Sequence, residues 1–294
     1  MIRLGDWEMR RELVDIWQIC FDEPARPPKY FLNNYFRPEN CLVYQVGEKI
    51  AAVVYLLPAR IAAKKGTVQA HYIYAAATLP EYRSRGFMAA LLAAAALVGA
   101  RRGDQYSFLL PATKELYPMY QKSDYRPFFK ARMADITLDQ LVSIAESGQI
   151  NKTALSIHHL NSLRSGQLAG KTGSVLWSDE AFAFAAGMGK IYGDKLVASL
   201  TDGQPAYALC RRLDENTCLV QEIMAQERTL PNLAANLIQT MPALSYRFRL
   251  PANSALLQVE GEELPSGMMK PIGGASMEPV EPISSAPYLG LPLD

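Results

Sequence analysis

The residues best suited to chemistry lie between positions 78 and 89: Thr78-Leu79-Pro80-Glu81-Tyr82-Arg83-Ser84-Arg85-Gly86-Phe87-Met88-Ala89. A β-rich run precedes them and a run of Ala, Leu and Met follows, so Gly86 marks a strand-to-helix junction. A glycine there lets the backbone approach a ligand closely. The first N–H groups of the helix have no internal partner, and the helix dipole is positive at that end. Together they form a cradle for phosphate, to which Arg83 and Arg85 add charge. The segment is not a Walker loop, because no Gly-Lys-Ser/Thr follows. It is not a dinucleotide fingerprint either, because GxGxxG is missing.

Other reactive residue types are sparse. The four cysteines, Cys20, Cys41, Cys210 and Cys218, form no CxxC pair, and no histidine stands at ligand spacing, so no metal site is expected. His71 lies on a strand and can titrate near neutrality, as a base or as a structural group. His158 and His159 read as surface residues of a helix.

The elements that must position the cradle follow from periodicity. Residues 7–21 and 29–35 are helical, 41–46 and 51–59 form a hairpin about Gly47-Glu48-Lys49, and 68–78 is a third strand. Helix 87–102, strand 106–110, a short helix from Thr113 to Gln121 and a strand near 126–136 complete a mixed sheet with helices on both faces. A similar order restarts after residue 150: helices at 155–165 and 178–191, strands at 195–201, 204–212 and 217–225, helix 232–241 and strand 246–250. Phe108-Leu109-Leu110-Pro111-Ala112 is echoed by Phe248-Arg249-Leu250-Pro251-Ala252. The echo and the repeated order predict a duplicated fold, with domains at 1–138 and 151–294. The stretch from Pro265 to Asp294, rich in Pro and Gly, is expected to be extended and packed over a surface.

The chain has 294 residues with 30 Lys+Arg against 29 Asp+Glu, and 49% of it is hydrophobic. That suits two globular domains and argues against a nucleic-acid partner. The most apolar run, 87–100, is shorter than the about 20 residues of a membrane span, and no signal core opens the chain, so no membrane partner and a cytoplasmic location are expected. Ala-rich helices and sheet edges leave a homo-oligomer open.

Arg83-Ser84-Arg85-Gly86-Phe87-Met88 resembles the Gln/Arg-x-x-Gly-x-Gly/Ala motif of the GNAT N-acetyltransferases. Met88 departs from it, standing where Gly or Ala is usual. The strand Tyr74-Ala75-Ala76-Ala77-Thr78 and the element order over residues 1–136 are also typical of that family. The resemblance implies a GNAT fold and acetyl-CoA as co-substrate. It puts pantetheine along Ala76, Ala77 and Thr78, and pyrophosphate on the turn of Arg83 and Ser84 and the amides of Arg85, Gly86, Phe87, Met88 and Ala89. Leu116-Tyr117-Pro118-Met119-Tyr120-Gln121-Lys122-Ser123-Asp124-Tyr125 resembles the family's Leu-Tyr-x-x-x-Gly-Phe/Tyr segment. Tyr120 then falls on the tyrosine that protonates the departing CoA thiolate, with Tyr117 as competitor and Asp124 in place of the usual glycine. The two-module layout is similar to the enhanced-intracellular-survival type of acetyltransferase, without a full third domain. In that group the C-terminal carboxylate acts as base, which points to Asp294. The second module's junction, Ala225-Gln226-Glu227-Arg228-Thr229-Leu230-Pro231, lacks the glycine, carries a repelling glutamate and loses a donor at Pro231. It is expected not to bind CoA. The implied activity is acetyl transfer to a primary amine on a small molecule or peptide. The alternative is a non-catalytic acyl-CoA sensor or scaffold.

Overall fold

The computed structural model describes residues 1–151, 153–282 and 286–291. The chain divides into two compact units. Unit 1 takes Met1–Phe128 and Gly267–Glu281; unit 2 takes Phe129–Ser266, Pro282 and residues 286–291.

Unit 1 opens with β1 (Ile2–Leu4), α1 (Arg10–Phe21) and α2 (Arg26–Asn34). Then come β2 (Cys41–Val46), β3 (Lys49–Ala62), β4 (Thr67–Thr78), α3 (Phe87–Arg101), β5 (Tyr106–Leu109), α4 (Tyr117–Gln121) and β6 (Arg126–Pro127). Alternation along β3 and β4 sorts two cores. Tyr55 and Tyr74 meet Trp17 of α1 and Phe31 of α2 in edge-on aromatic contacts. Ala52, Val54, Leu56 and Ile73 pack instead with Leu91, Leu92 and Ala95 of α3. The small residues of α3 allow close approach: a Cβ on Gly99 would lie 2.5 Å from His71 Cε1.

The chain then enters unit 2 through β7 (Lys130–Thr137) and α5 (Leu138–Ala145), whose start is closed by a capping box between Thr137 and Gln140. Next are α6 (Ile157–Leu168), β8 (Val175–Leu176) and α7 (Asp179–Ile191), with Ser156 and Ser178 as N-caps of the two helices. There follow β9 (Lys195–Thr201), β10 (Gln204–Arg212), β11 (Thr217–Met224), α8 (Leu230–Thr240), β12 (Ser245–Pro251) and β13 (Glu262–Pro265). Leu141 of α5 and Leu233 and Leu237 of α8 pack on the face that carries Ala206, Ala208, Val220 and Phe248. The other face carries Tyr207, which meets Phe182 of α7 edge-on and bonds Glu222.

β14 (Met268–Pro271) returns to unit 1. It pairs with β5 on one side and β6 on the other, giving the order β1-β2-β3-β4-β5-β14-β6. The sheet of unit 2 runs β13-β7-β12-β11-β10-β9. The duplication is thus visible in topology. In each sheet a parallel pair (β4/β5, β11/β12) is followed by an antiparallel strand and then a short edge strand. The inserted strand is exchanged: β7 follows β6 in sequence but belongs to unit 2, and β14 follows β13 but belongs to unit 1. The single strand expected near 126–136 therefore divides between the two sheets, and the expected division at 139–150 does not coincide with the compact units. The Pro- and Gly-rich end is not simply extended, because it supplies a central strand to unit 1.

Candidate active site

The cradle is built by an interruption in β4. Tyr74 faces Tyr55 of β3, but the next register pair is Ala77 with Val53, so one extra residue is accommodated. Ala75 takes φ +44°, the left-handed conformation that a bulge requires of it. On the opposite edge, β4 runs parallel to β5 only from Ala70 to Tyr72, the last pair being Tyr72 with Phe108. Beyond that pair the strands part, and Ala76, Ala77 and Thr78 border the opening.

A short turn at Pro80–Tyr82 leads from there to α3. Ser84 has φ +61° and Gly86, the N-cap, φ +78°. A Cβ on Gly86 would meet no atom within 4 Å, so the glycine serves backbone conformation rather than space. No side chain caps this helix, and its first internal bond runs from Ala90 N–H to Gly86 O. The amides of Phe87, Met88 and Ala89 thus point outward as donors at the positive end of a 15-residue helix. Arg83, Ser84, Arg85 and Gly86 are exposed beside them. The one carboxylate in the turn, Glu81, is paired with Lys49 at 2.8 Å, and that contact holds its pKa below the ordinary value. Lys49 and Arg85 flank the Tyr82 ring at 5.7 and 5.4 Å, so the mouth keeps a positive balance. Met88 is half-buried and packs with the apolar cluster under α3, as does Phe87, which stacks on Tyr44 at 4.0 Å. The bulk that departs from the motif is thus turned toward the core.

Tyr120 on α4 is 7% exposed and packs with Leu109, Ile73 and Met268. Its ring lies edge-on to Tyr125 at 6.1 Å, and Tyr125 shares a 2.6 Å hydrogen bond with Ser107. Tyr117 is half-exposed beside the Gly267 amide, and burial raises its pKa. Asp124 has φ +67°, so it takes up the left-handed turn for which glycine is usual.

The sequence left His71 open as a base. The structure makes it structural. It is wholly buried, with Nδ1 at 2.8 Å from Asp104, and burial lowers its pKa. It lies under Gly99, thirteen residues beyond Gly86, which is about 20 Å along the helix axis. His158 and His159 are exposed on α6 of unit 2, bonded to Asp179 and Ser156. Asp294 lies outside the described residues. Among the described residues no group of acidic, histidine or cysteine side chains could hold a metal, and no helix is long and apolar enough to cross a membrane. One neighbour of the cradle escaped sequence reasoning: Cys20 of α1 lies beside the Thr78 amide and the Arg83 guanidinium. Burial raises its pKa, against those two opposing contacts. Only its last-turn position on α1 could have signalled this.

In unit 2 the same construction recurs with different contents. Leu209 faces Glu222, Cys210 faces Val220, and the extra residue is Gln221. The parallel pairing of β11 with β12 ends at Val220 with Phe248. Phe108 and Phe248, the first residues of the two echoing pentapeptides, are therefore the last paired residues before each sheet opens. The following helix has Pro231 in its first turn and no glycine at its junction.

Residues 2–128 match the family described as an acetyltransferase (GNAT) domain. Solved structures extend the likeness in fold to most of the chain. Eis1 of Mycobacterium abscessus is 12% identical with a TM-score of 0.69, covering 92% of this chain and 73% of that one. A GCN5-related N-acetyltransferase of Anabaena variabilis is 16% identical with a TM-score of 0.72, covering 92% and 72%. A protein of Enterococcus faecalis described as a probable N-acyltransferase is 14% identical with a TM-score of 0.73, covering 93% and 72%. A search of curated proteins finds no match.

Proposed function

We propose that this protein transfers the acetyl group of acetyl-CoA to a primary amine by direct attack on the thioester. The observation that carries this reading is the uncapped start of α3 behind Gly86, beside the opening of β4 and β5 at the Ala75 bulge. The amides of Phe87 to Ala89 would take the pyrophosphate, and Arg83 and Arg85 would add charge. The strand amides near Ala76 would bind pantetheine and polarise the thioester carbonyl. The amine nitrogen forms a bond to the carbonyl carbon, the C–S bond breaks, and Tyr120 gives its proton to the departing thiolate. The carboxylate of Asp294 would take the proton from the amine. This last assignment rests on the likeness to the enhanced-intracellular-survival type of acetyltransferase.

Thiol release in the presence of a panel of primary amines tests the reading. Tyr120→Phe should lower kcat by about 100-fold or more, with acetyl-CoA affinity unchanged. Unchanged turnover would remove Tyr120 from the mechanism. Deleting the last three residues should lower turnover without changing acetyl-CoA binding, and undiminished turnover would remove Asp294.

A further inference from the structure

Unit 2 keeps the geometry of a ligand cleft while lacking the groups that would hold a pyrophosphate. Beyond Val220 and Phe248 no described strand pairs with the edge of β11 that faced β12, although β11 continues to Met224. A cleft of about 350 Å³ opens there, between the end of β11, residues 253–258 and the turn after α6. Ligand pockets run from about 300 to 1,000 Å³, so this one suits a small molecule rather than a whole coenzyme. Apolar side chains such as Met224 and Leu256 line it together with amide side chains such as Gln226 and Gln258. Gln167 fixes one wall by donating to Ala225 O.

Lys171 also lines this cleft. Its ammonium is half-buried, and among the described residues it makes no hydrogen bond or ion pair. Glu227 borders the same cleft, but among the described residues no ion pair joins it to Lys171. Burial lowers the Lys171 pKa, as expected of a cation partly removed from water with nothing to offset the loss. An open strand edge offers alternating N–H and C=O groups to an extended amide. An unpartnered ammonium offers an ion pair to an anion. These are two independent features, and one kind of molecule satisfies both.

We propose that the cleft of unit 2 binds a small extended amide ending in a carboxylate, of the size of an N-acylated dipeptide, with its carboxylate on Lys171 and its amides along the open edge of β11. This site is separate from the acetyl-CoA cradle of unit 1, and the proposal does not depend on that cradle's function.

Calorimetric titration of the full-length protein with N-acetyl-Ala-Ala tests it. The expected result is saturable binding at one site per chain. Losing a charged hydrogen bond should weaken it about tenfold or more, in Lys171→Met or with the carboxyl-terminal amide of the same dipeptide as titrant. Leu256→Trp, which fills the cleft, should abolish it. Urea unfolding transitions of the same variants should match those of the parent protein, showing that unit 2 is folded. Absence of saturable binding, or binding indifferent to Lys171→Met, overturns the proposal. Competition by inorganic phosphate at equal strength also overturns it, because the cleft would then read charge alone.

Discussion

Residues 1–138, the span that the sequence marks as a complete domain, should not fold when expressed alone. That fragment lacks β14, which fills the place between β5 and β6. Met268 and Met269 are 0% and 1% exposed, and burying two such side chains contributes about 3–6 kcal/mol. The strand also carries Lys270, whose Nζ donates to Ser123 O at 3.0 Å and lies 4.7 Å from the Tyr125 ring centroid. Its absence would uncover Phe108 and Leu109 of β5 as well, both at 1% exposure or less. Together these losses are comparable with the whole net stability of a typical domain, about 5–15 kcal/mol. Circular dichroism under urea and calorimetry with acetyl-CoA would read the outcome. The fragment should show no cooperative transition and no binding. Joining residues 267–281 to residue 128 through a flexible Gly/Ser linker should restore both. A fragment 1–138 that unfolds cooperatively and binds acetyl-CoA like the full chain would refute the strand exchange.

Three further outcomes follow from buried groups. Arg164 and Glu222 are both 0% exposed and paired at 3.1 Å, with Glu222 also accepting from Tyr207 and the Leu291 amide. Glu222→Ala should destabilise unit 2 by about 3–5 kcal/mol, whereas Arg164→Met with Glu222→Leu should cost less than the sum of the single changes; an additive cycle in urea would contradict the coupling. His71 is held neutral, with a pKa below its ordinary value of 6.5. The unfolded chain therefore takes up that proton first, and stability should fall as pH drops from about 6.5 toward the folded value. Asp104 adds to this lower down: burial raises its pKa, but the bonds from His71 and Arg102 outweigh that and leave it depressed, so its contribution is present above 3.8 and lost as pH falls through the folded value. Below about pH 6.5 the urea midpoint should fall less steeply with pH in His71→Gln than in the parent; an unchanged slope in the variant would exclude His71 as the source.

The cradle was legible because its signals are local. Gly86 needs positive φ, the arginines stand beside it, and helix formers follow at once. The echo at Phe108 and Phe248 was legible as repetition, and the structure gives it meaning as the point where each parallel pair opens. The strand exchange was not legible, because the alternation of a strand says which face is buried and not which sheet receives it. Residues 126–136 therefore read as one strand, though β6 and β7 end in different sheets. Arg164 was hidden for a related reason. Nothing in its position on α6 shows that a glutamate 58 residues away and the carbonyls of Val175 and Leu289 will satisfy it. His71 was ambiguous for want of Asp104, its partner 33 residues on.

The two openings of the sheets carry different groups for a physical reason. In unit 1 the helix after the opening presents three free amides, and Glu81 in the turn before it is neutralised by Lys49. In unit 2 the corresponding helix starts with Leu230 and Pro231, and Glu227 is exposed before it. A dianionic pyrophosphate is favoured at the first and repelled at the second.

The most direct test is a calorimetric titration of the full-length protein with acetyl-CoA, read for stoichiometry. The account predicts one site per chain, lost in Gly86→Glu. The added side chain meets no protein atom within 4 Å of its Cβ, so the variant keeps its fold apart from about 1–2 kcal/mol of backbone strain. Its carboxylate would oppose the phosphates. Two sites per chain, or one site indifferent to Gly86→Glu, would contradict the assignment of the cradle to the start of α3.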